Sequence, residues 1–283
     1  MRLGYVGLGN IGGPMAARLA AAGPTTVFDI SADAVAAAVE AGASRADSLA
    51  DLAAASDLVS ICVRDDAQVR DVVADLLPHL SSGALIAVHS TIAPETAVEQ
   101  AALTATSGVT LLDAPISGGA PGAQQGRLAI MIGGDREAYQ RAKAALAPAG
   151  DMIVHAGDRP GDGTRMKLAR NLLHFVSFTA TAEAARLAEA AGIDVAKLGK
   201  VVRHTDAITG GAGAIMLRDT TAAIDPDDFW YGVFTHVRSL GEKDLTLALD
   251  LADHLGVDLP LGRRALTDLA AGLGVPHSSE GAR

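Results

Sequence analysis

The hexapeptide Gly7-Leu8-Gly9-Asn10-Ile11-Gly12 constrains the fold more than any other stretch of the chain. It comes after a short apolar run, Leu3 to Val6, and opens an alanine-rich segment, PMAARLAAAG, with Pro14 early and Gly23 at its end. The order reads as strand, glycine turn and helix. Each glycine then has a physical task. Gly7 permits the tight turn, Gly9 lets a pyrophosphate approach the backbone, and Gly12 lets the helix pack against the strand, while free helix N–H groups face the anion. A plain glycine turn would not need an acid at a set distance, yet a second strand, Thr25 to Phe28, ends in Asp29, 20 residues after Gly9. A carboxylate there can bind the ribose hydroxyls of a dinucleotide. It also repels a 2′-phosphate, and no Arg occurs after it until Arg45, so NAD is favoured over NADP.

The strand and helix signals recur along the next hundred residues. After Asp29 comes SADAVAAAVEAG, with Ser31 as a cap and Gly42 as a stop. Apolar runs at 58–63, 84–90, 109–115 and 128–134 then alternate with helical periods. Such alternation predicts an α/β domain with a doubly wound, mostly parallel sheet covered on both faces. Beyond the Gly, Pro and Asp cluster at 155–163 no convincing strand appears, and the text is helical to the end. The expected organisation is therefore a dinucleotide-binding domain over 1–162, an all-α domain over 163–276 and a frayed tail over 277–283. Residues 164–191 hold neither Pro nor Gly. One helix of that length spans about 40 Å.

Composition narrows the function classes. A chain of 283 residues that is 49% hydrophobic and 20% charged belongs with globular proteins. Its net charge of −10, scattered rather than clustered, is the wrong sign for tracking a nucleic acid or an anionic membrane. No run approaches the roughly 18 apolar residues of a membrane span, and the early glycines interrupt any signal peptide. The single cysteine, Cys62, cannot form an internal disulfide, and no Cys/His spacing suggests a metal site. A cytoplasmic protein without a metal is expected.

Two further segments carry chemistry. In Asp113-Ala-Pro-Ile-Ser-Gly-Gly119 the N–H groups of Gly118 and Gly119, beside the Ser117 hydroxyl, suit a carboxylate, although a loop that merely changes direction has the same text. On the long helix Lys167, Asn171, His174 and Phe178 share one stripe, so a proton carrier and a hydrogen-bonding orienter stand one turn apart. A solvated helix face has that look too. His236, Leu240, Lys243 and Leu247 repeat the stripe farther on, and Phe229-Trp230-Tyr231 reads as an aromatic core or interface cluster.

Taken in order, GLGNIGGPMAARL (7–19), STIAP (90–94), DAPISGG (113–119), GTRMKLARN (163–171) and EKDLTLAL (242–249) resemble the β-hydroxyacid dehydrogenase family, which includes 3-hydroxyisobutyrate dehydrogenases and belongs with the 6-phosphogluconate dehydrogenases. The resemblance implies an N-terminal Rossmann domain, a connecting helix and an all-α domain that helps build a homodimer or homotetramer. It implies Lys167 as general acid and base, Asn171 as its substrate-orienting partner, and Ser117, Gly118 and Gly119 on the carboxylate of a small substrate. Val63 and Thr91 would lie along the cofactor, and Lys243 would contact it near the substrate. Three positions depart from the family's habit: Ile11 where Met is frequent, Arg18 where Asn is frequent, and His236 where many relatives have Phe. The last bears on the pocket, so His236 joins the substrate-binding candidates. Imine reductases share the architecture but usually carry Asp or Tyr in place of the lysine, and a non-catalytic dinucleotide-binding protein would not need Ser117, Lys167 and Asn171 together.

An ordinary lysine, with a pKa of about 10.4, is too protonated to act as a base near neutrality. Its site should lower that value, by desolvation and by a like charge for which Lys243 and the nicotinamide ring are the candidates.

Overall fold

The computed structural model describes residues 1–278, in two compact units, the first Met1–Arg170 and the second from Asn171 onward. The first unit opens with β1 (Leu3–Val6), α1 (Gly12–Ala22), β2 (Thr25–Phe28), α2 (Ala32–Glu40) and the two-residue β3 (Ser44–Arg45). It continues through α3 (Leu49–Ala54), β4 (Leu58–Ile61), α4 (Asp66–Leu76), β5 (Leu85–Val88), α5 (Pro94–Ala105) and β6 (Thr110–Asp113). Then come β7 (Ile116–Ser117), α6 (Gly119–Gln125), β8 (Ala129–Gly133), α7 (Arg136–Leu146) and β9 (Met152–Gly157). Helix α8 (Asp162–Ala190) begins here and runs into the second unit, which holds α9 (Val195–Thr209), α10 (Phe229–Leu255) and α11 (Pro260–Leu273). A Rossmann domain with a mostly parallel sheet thus precedes a helical region.

The sheet order is β3-β2-β1-β4-β5-β6-β8-β7, with β9 paired to β8. Its first six strands are parallel, and the order reverses beside β1, the place where open α/β sheets bind ligands. The period of two sorts each strand between the two covered faces. Leu3 and Tyr5 of β1, Leu58 of β4, Leu85 and Ala87 of β5 and Leu112 of β6 join one apolar layer. Val6, Val59, Ile61, Ile86, Val88 and Leu111 join the other. Burial on both faces is why these strands read as unbroken apolar runs. Beyond β6 the pattern changes. Strand β8 runs antiparallel to β6, meeting it at Asp113↔Gly133, because only the short β7 and α6 separate them. An apolar run alone does not reveal its direction, and β3, α3 and β9 have no clear periodicity to mark them.

The second unit has two small apolar clusters. Ile224, Phe234, Leu273 and Val275 form one, with Trp230 and Tyr231 packed on it and Phe229 left outside. Leu249, Ala252 and Leu259 form the other, backed by Leu187. The buried Glu183 of α8 accepts hydrogen bonds from Leu261 N and Gly262 N, both at 2.8 Å, and so caps α11. Of the expected tail, His277 lies 3.5 Å from Glu242, and residues 279–283 are outside the described residues.

One buried titratable group sits in the sheet. His89 Nδ1 donates to Ala114 O at 2.8 Å, and the Ser60 hydroxyl donates to Nε2 at 3.0 Å. Burial lowers its pKa from the ordinary 6.5 to about 4. The unfolded chain therefore binds a proton at a pH where the folded chain does not, and stability falls as pH drops from 6.5 towards 4. Denaturant titrations across that window should show a loss of about 3 kcal/mol from this group, and His89→Gln should flatten the slope. An unchanged slope in the variant would contradict this origin.

Candidate active site

The carboxyl ends of the parallel strands β1, β2, β4 and β5 carry the glycine turn, Asp29, Val63 and Thr91. After β1 the backbone turns at Gly7, whose φ of +93° suits glycine, and a Cβ there would collide with the Cys62 carbonyl. A Cβ on Gly12 would strike the Gly7 carbonyl oxygen, so α1 crosses the turn at backbone distance. Beside Gly9 there is open space. Helix α1 begins without a side-chain cap or an acid in its first turn, while Leu8 is buried and Asn10 faces outward. An uncapped helix start, an open cradle and a nearby carboxylate fit an anionic dinucleotide.

That carboxylate is Asp29. Its Oδ2 accepts from Leu8 N at 2.6 Å and its Oδ1 from Ser31 N at 2.8 Å, which ties the end of β2 to the glycine turn. A third anchor is Ser90, which opens the STIAP segment: its hydroxyl accepts from Val63 N at 3.0 Å and donates to Val63 O at 2.7 Å. It locks the strand ends that carry Val63 and the exposed Thr91. Arg18, a departure from the family pattern, donates from Nε and Nη2 to Gln124 O and clasps α1 to the end of α6.

Lys167 is placed by a buried acid. Asp113, fully inaccessible at the end of β6, accepts from Gly161 N at 2.7 Å and Thr164 N at 2.6 Å and so caps the start of α8. Side chains would not fit at this crossing. A Cβ on Gly163 would meet the carbonyl oxygens of Met131 and Asp113, and one on Gly133 would meet Gly163 N and Asp113 Oδ1. About one turn into α8, Lys167 is only 8% exposed, and its Nζ donates to Ser117 Oγ at 2.7 Å. Ser117 ends β7, and after it Gly118 and Gly119, with φ of +131° and +62°, take left-handed conformations that open α6. Burial lowers the Lys167 pKa from 10.5, and the like charge that adds to it is Arg170, on the next turn of the same helix. The candidates that follow from the family resemblance are instead Lys243 and the nicotinamide ring.

Asn171 stands one turn beyond Lys167 on α8 and is half-buried. His174 lies at the next position of the stripe, its ring 4.3 Å from that of Phe178. His236 and Lys243 belong to α10 and are both exposed, with Lys243 Nζ 3.2 Å from Asp244 Oδ1.

Residues 2–157 match the family profile for the NAD binding domain of 6-phosphogluconate dehydrogenase. Residues 161–274 match the profile for the NAD-binding region of NADP-dependent 3-hydroxyisobutyrate dehydrogenase. The chain belongs to the β-hydroxyacid dehydrogenase family. It is an NAD(P)-dependent oxidoreductase of that family. An uncharacterised oxidoreductase of Mycobacterium tuberculosis is 55% identical to this dehydrogenase over 280 residues, 98% of this chain and 94% of that one. A 3-hydroxyisobutyrate dehydrogenase of Pseudomonas aeruginosa is 38% identical over 271 residues, 93% of this chain and 89% of that one. The crystal structure of a Mycobacterium avium protein provisionally classed as an oxidoreductase superposes with a TM-score of 0.94 at 56% identity, over 98% of this chain and 99% of that one.

The Asp113 cap is open to a direct test in this dehydrogenase. Asp113→Ala would strand two buried backbone donors at the start of α8, so denaturant unfolding should show a loss of about 3 kcal/mol. Asp113→Asn, which keeps one acceptor, should recover part of it. Wild-type stability in the alanine variant would show that the cap holds nothing.

Proposed function

We propose that this dehydrogenase transfers a hydride between NAD and a small β-hydroxy acid of the 3-hydroxyisobutyrate type, or its semialdehyde. The observation that carries this reading is the buried Lys167 amine, 2.7 Å from Ser117 Oγ and close in the fold to two left-handed glycines. The N–H groups of Gly118 and Gly119 hold the substrate carboxylate, and the Ser117 hydroxyl helps to fix it. Lys167 Nζ, neutral, takes the proton of the substrate hydroxyl as the carbinol C–H electron pair leaves and the C=O bond forms; in reduction, the protonated amine returns it. Bound through the glycine turn at Gly7, Leu8, Gly9, Asn10, Ile11 and Gly12, with Asp29 on its ribose and Val63 and Thr91 along it, NAD supplies the hydride acceptor. Asn171 orients the substrate. His236 as a substrate contact and Lys243 as a cofactor contact rest on the resemblance alone. NAD is preferred because no cation occurs between Asp29 and Arg45 to receive a 2′-phosphate.

A lone free cysteine, Cys62, suits the cytoplasm. On α8 the side chains of Leu172, Phe175 and Phe178 are 68%, 59% and 55% exposed, an apolar row that supports a homodimer or homotetramer.

With NAD and a panel of small 2- and 3-hydroxy acids, NADH absorbance should rise for a 3-hydroxy acid. Lys167→Ala should lose at least about 10²-fold in kcat while NADH still binds. Turnover retained in that variant would remove the lysine from the chemistry. The lowered lysine pKa also fixes a sign: for oxidation, kcat/KM should rise with pH and level off below the ordinary lysine value of 10.5, and Arg170→Gln should move that limb upward. A limb at the ordinary value in both proteins would contradict the tuning.

A further inference from the structure

We propose that Asp71 and Asp75, on the face of α4 that lines the dinucleotide cleft, make the adenosine end of this site reject a 2′-phosphate. The inference rests on the NAD reading above and assigns the discrimination to residues outside the glycine motif. A cavity of about 640 Å³ extends from Gly7 and Gly9 past Asp29 and Ile30 to a stripe of α4 formed by Gln68, Asp71, Val72 and Asp75. These four recur at i, i+3, i+4 and i+7, so they share one face of the helix. Ile30, 96% exposed, also lines the cavity and, with Val72, gives it apolar surface of the kind an adenine ring covers.

Asp29 does not account for the discrimination alone. Each of its carboxylate oxygens already accepts a backbone N–H, which compensates part of its charge and leaves lone pairs for the ribose hydroxyls. The other acids of the segment divide into two pairs. Asp65 caps α4 through Gln68 N, and Asp66 Oδ1 accepts from Ala93 N and the Thr96 hydroxyl, so both serve the fold. Asp71 and Asp75, by contrast, make no hydrogen bond or ion pair among the described residues, and like charges at i, i+4 weaken a helix. Arg64 is the one cation lining the cavity among the described residues, and its backbone N–H is held by Gln68 Oε1 at 3.0 Å. Three carboxylates against one guanidinium leave the cavity negative. A neutral ribose diol enters that field without penalty, and a 2′-phosphate does not.

The test is the ratio of NADPH to NADH dissociation constants, measured by fluorescence titration of the full chain at low salt. Wild-type protein should bind NADH more tightly, and Asp71→Asn/Asp75→Asn should narrow the ratio about tenfold through tighter NADPH binding. Asp71→Glu/Asp75→Glu, which keeps both charges, should retain the wild-type ratio. Raising the salt to about 0.5 M should narrow the wild-type ratio more than that of the asparagine variant, because exposed charges are screened. A wild-type preference for NADH that the asparagine variant leaves unchanged would overturn this assignment and spare the NAD reading. A wild-type protein that binds NADPH as tightly as NADH would overturn both.

Discussion

The contact on which the rest depends is the buried Asp113 carboxylate receiving Gly161 N and Thr164 N. An inaccessible anion is costly unless it is fully hydrogen-bonded, and the positive end of a helix is an efficient partner for it. The bond links the end of a central strand to the first turn of α8, and the side-chain-free crossing at Gly133 and Gly163 lets the backbones approach. Lys167 comes on the first turns of that helix, where small errors in direction stay small. Its amine therefore meets Ser117 in a defined place, although Lys is among the most mobile side chains when exposed.

A second constraint acts around the sheet's switch point. Asp29 ties β2 to the glycine turn, and the Ser90 hydroxyl ties the end of β5 to Val63. Both are side-chain to backbone bonds, which fix loops without requiring loop residues to pack. The cradle for the dinucleotide is thus held by strand ends and single polar side chains, leaving the surface beside Gly9 clear. Burial of Lys167 serves the same economy of parts: the environment that orders the amine also lowers its proton affinity, with Arg170 adding to the effect. The second unit repeats the capping device, with Glu183 of α8 holding the start of α11.

Much of this is legible in the sequence because it is local. The GxGxxG turn, the carboxylate at the end of β2 and the lysine on a long uninterrupted helix are each defined by spacing within a few turns of chain. Asp113 is legible only as part of a motif. Its partners lie 48 and 51 residues away, so no local pattern shows that it caps a helix. The same distance problem hides the partner of Ser90, which lies 27 residues away. Strand β9 escapes because its residues are half-buried and its end merges with a turn-rich cluster, and β8 conceals its direction because a buried strand looks alike either way. His236 and Lys243 show the opposite limit: spacing puts both on α10, but an exposed side chain is not positioned by the pattern that buries its neighbours.

The most direct measurement is a crystal structure of the dead-end complex with NADH and 3-hydroxyisobutyrate, in which no hydride can move. The account predicts the substrate hydroxyl oxygen within about 2.6–3.2 Å of Lys167 Nζ, with the carboxylate on the N–H groups of Gly118 and Gly119. A hydroxyl turned away from that amine, or a carboxylate seated elsewhere, would contradict it.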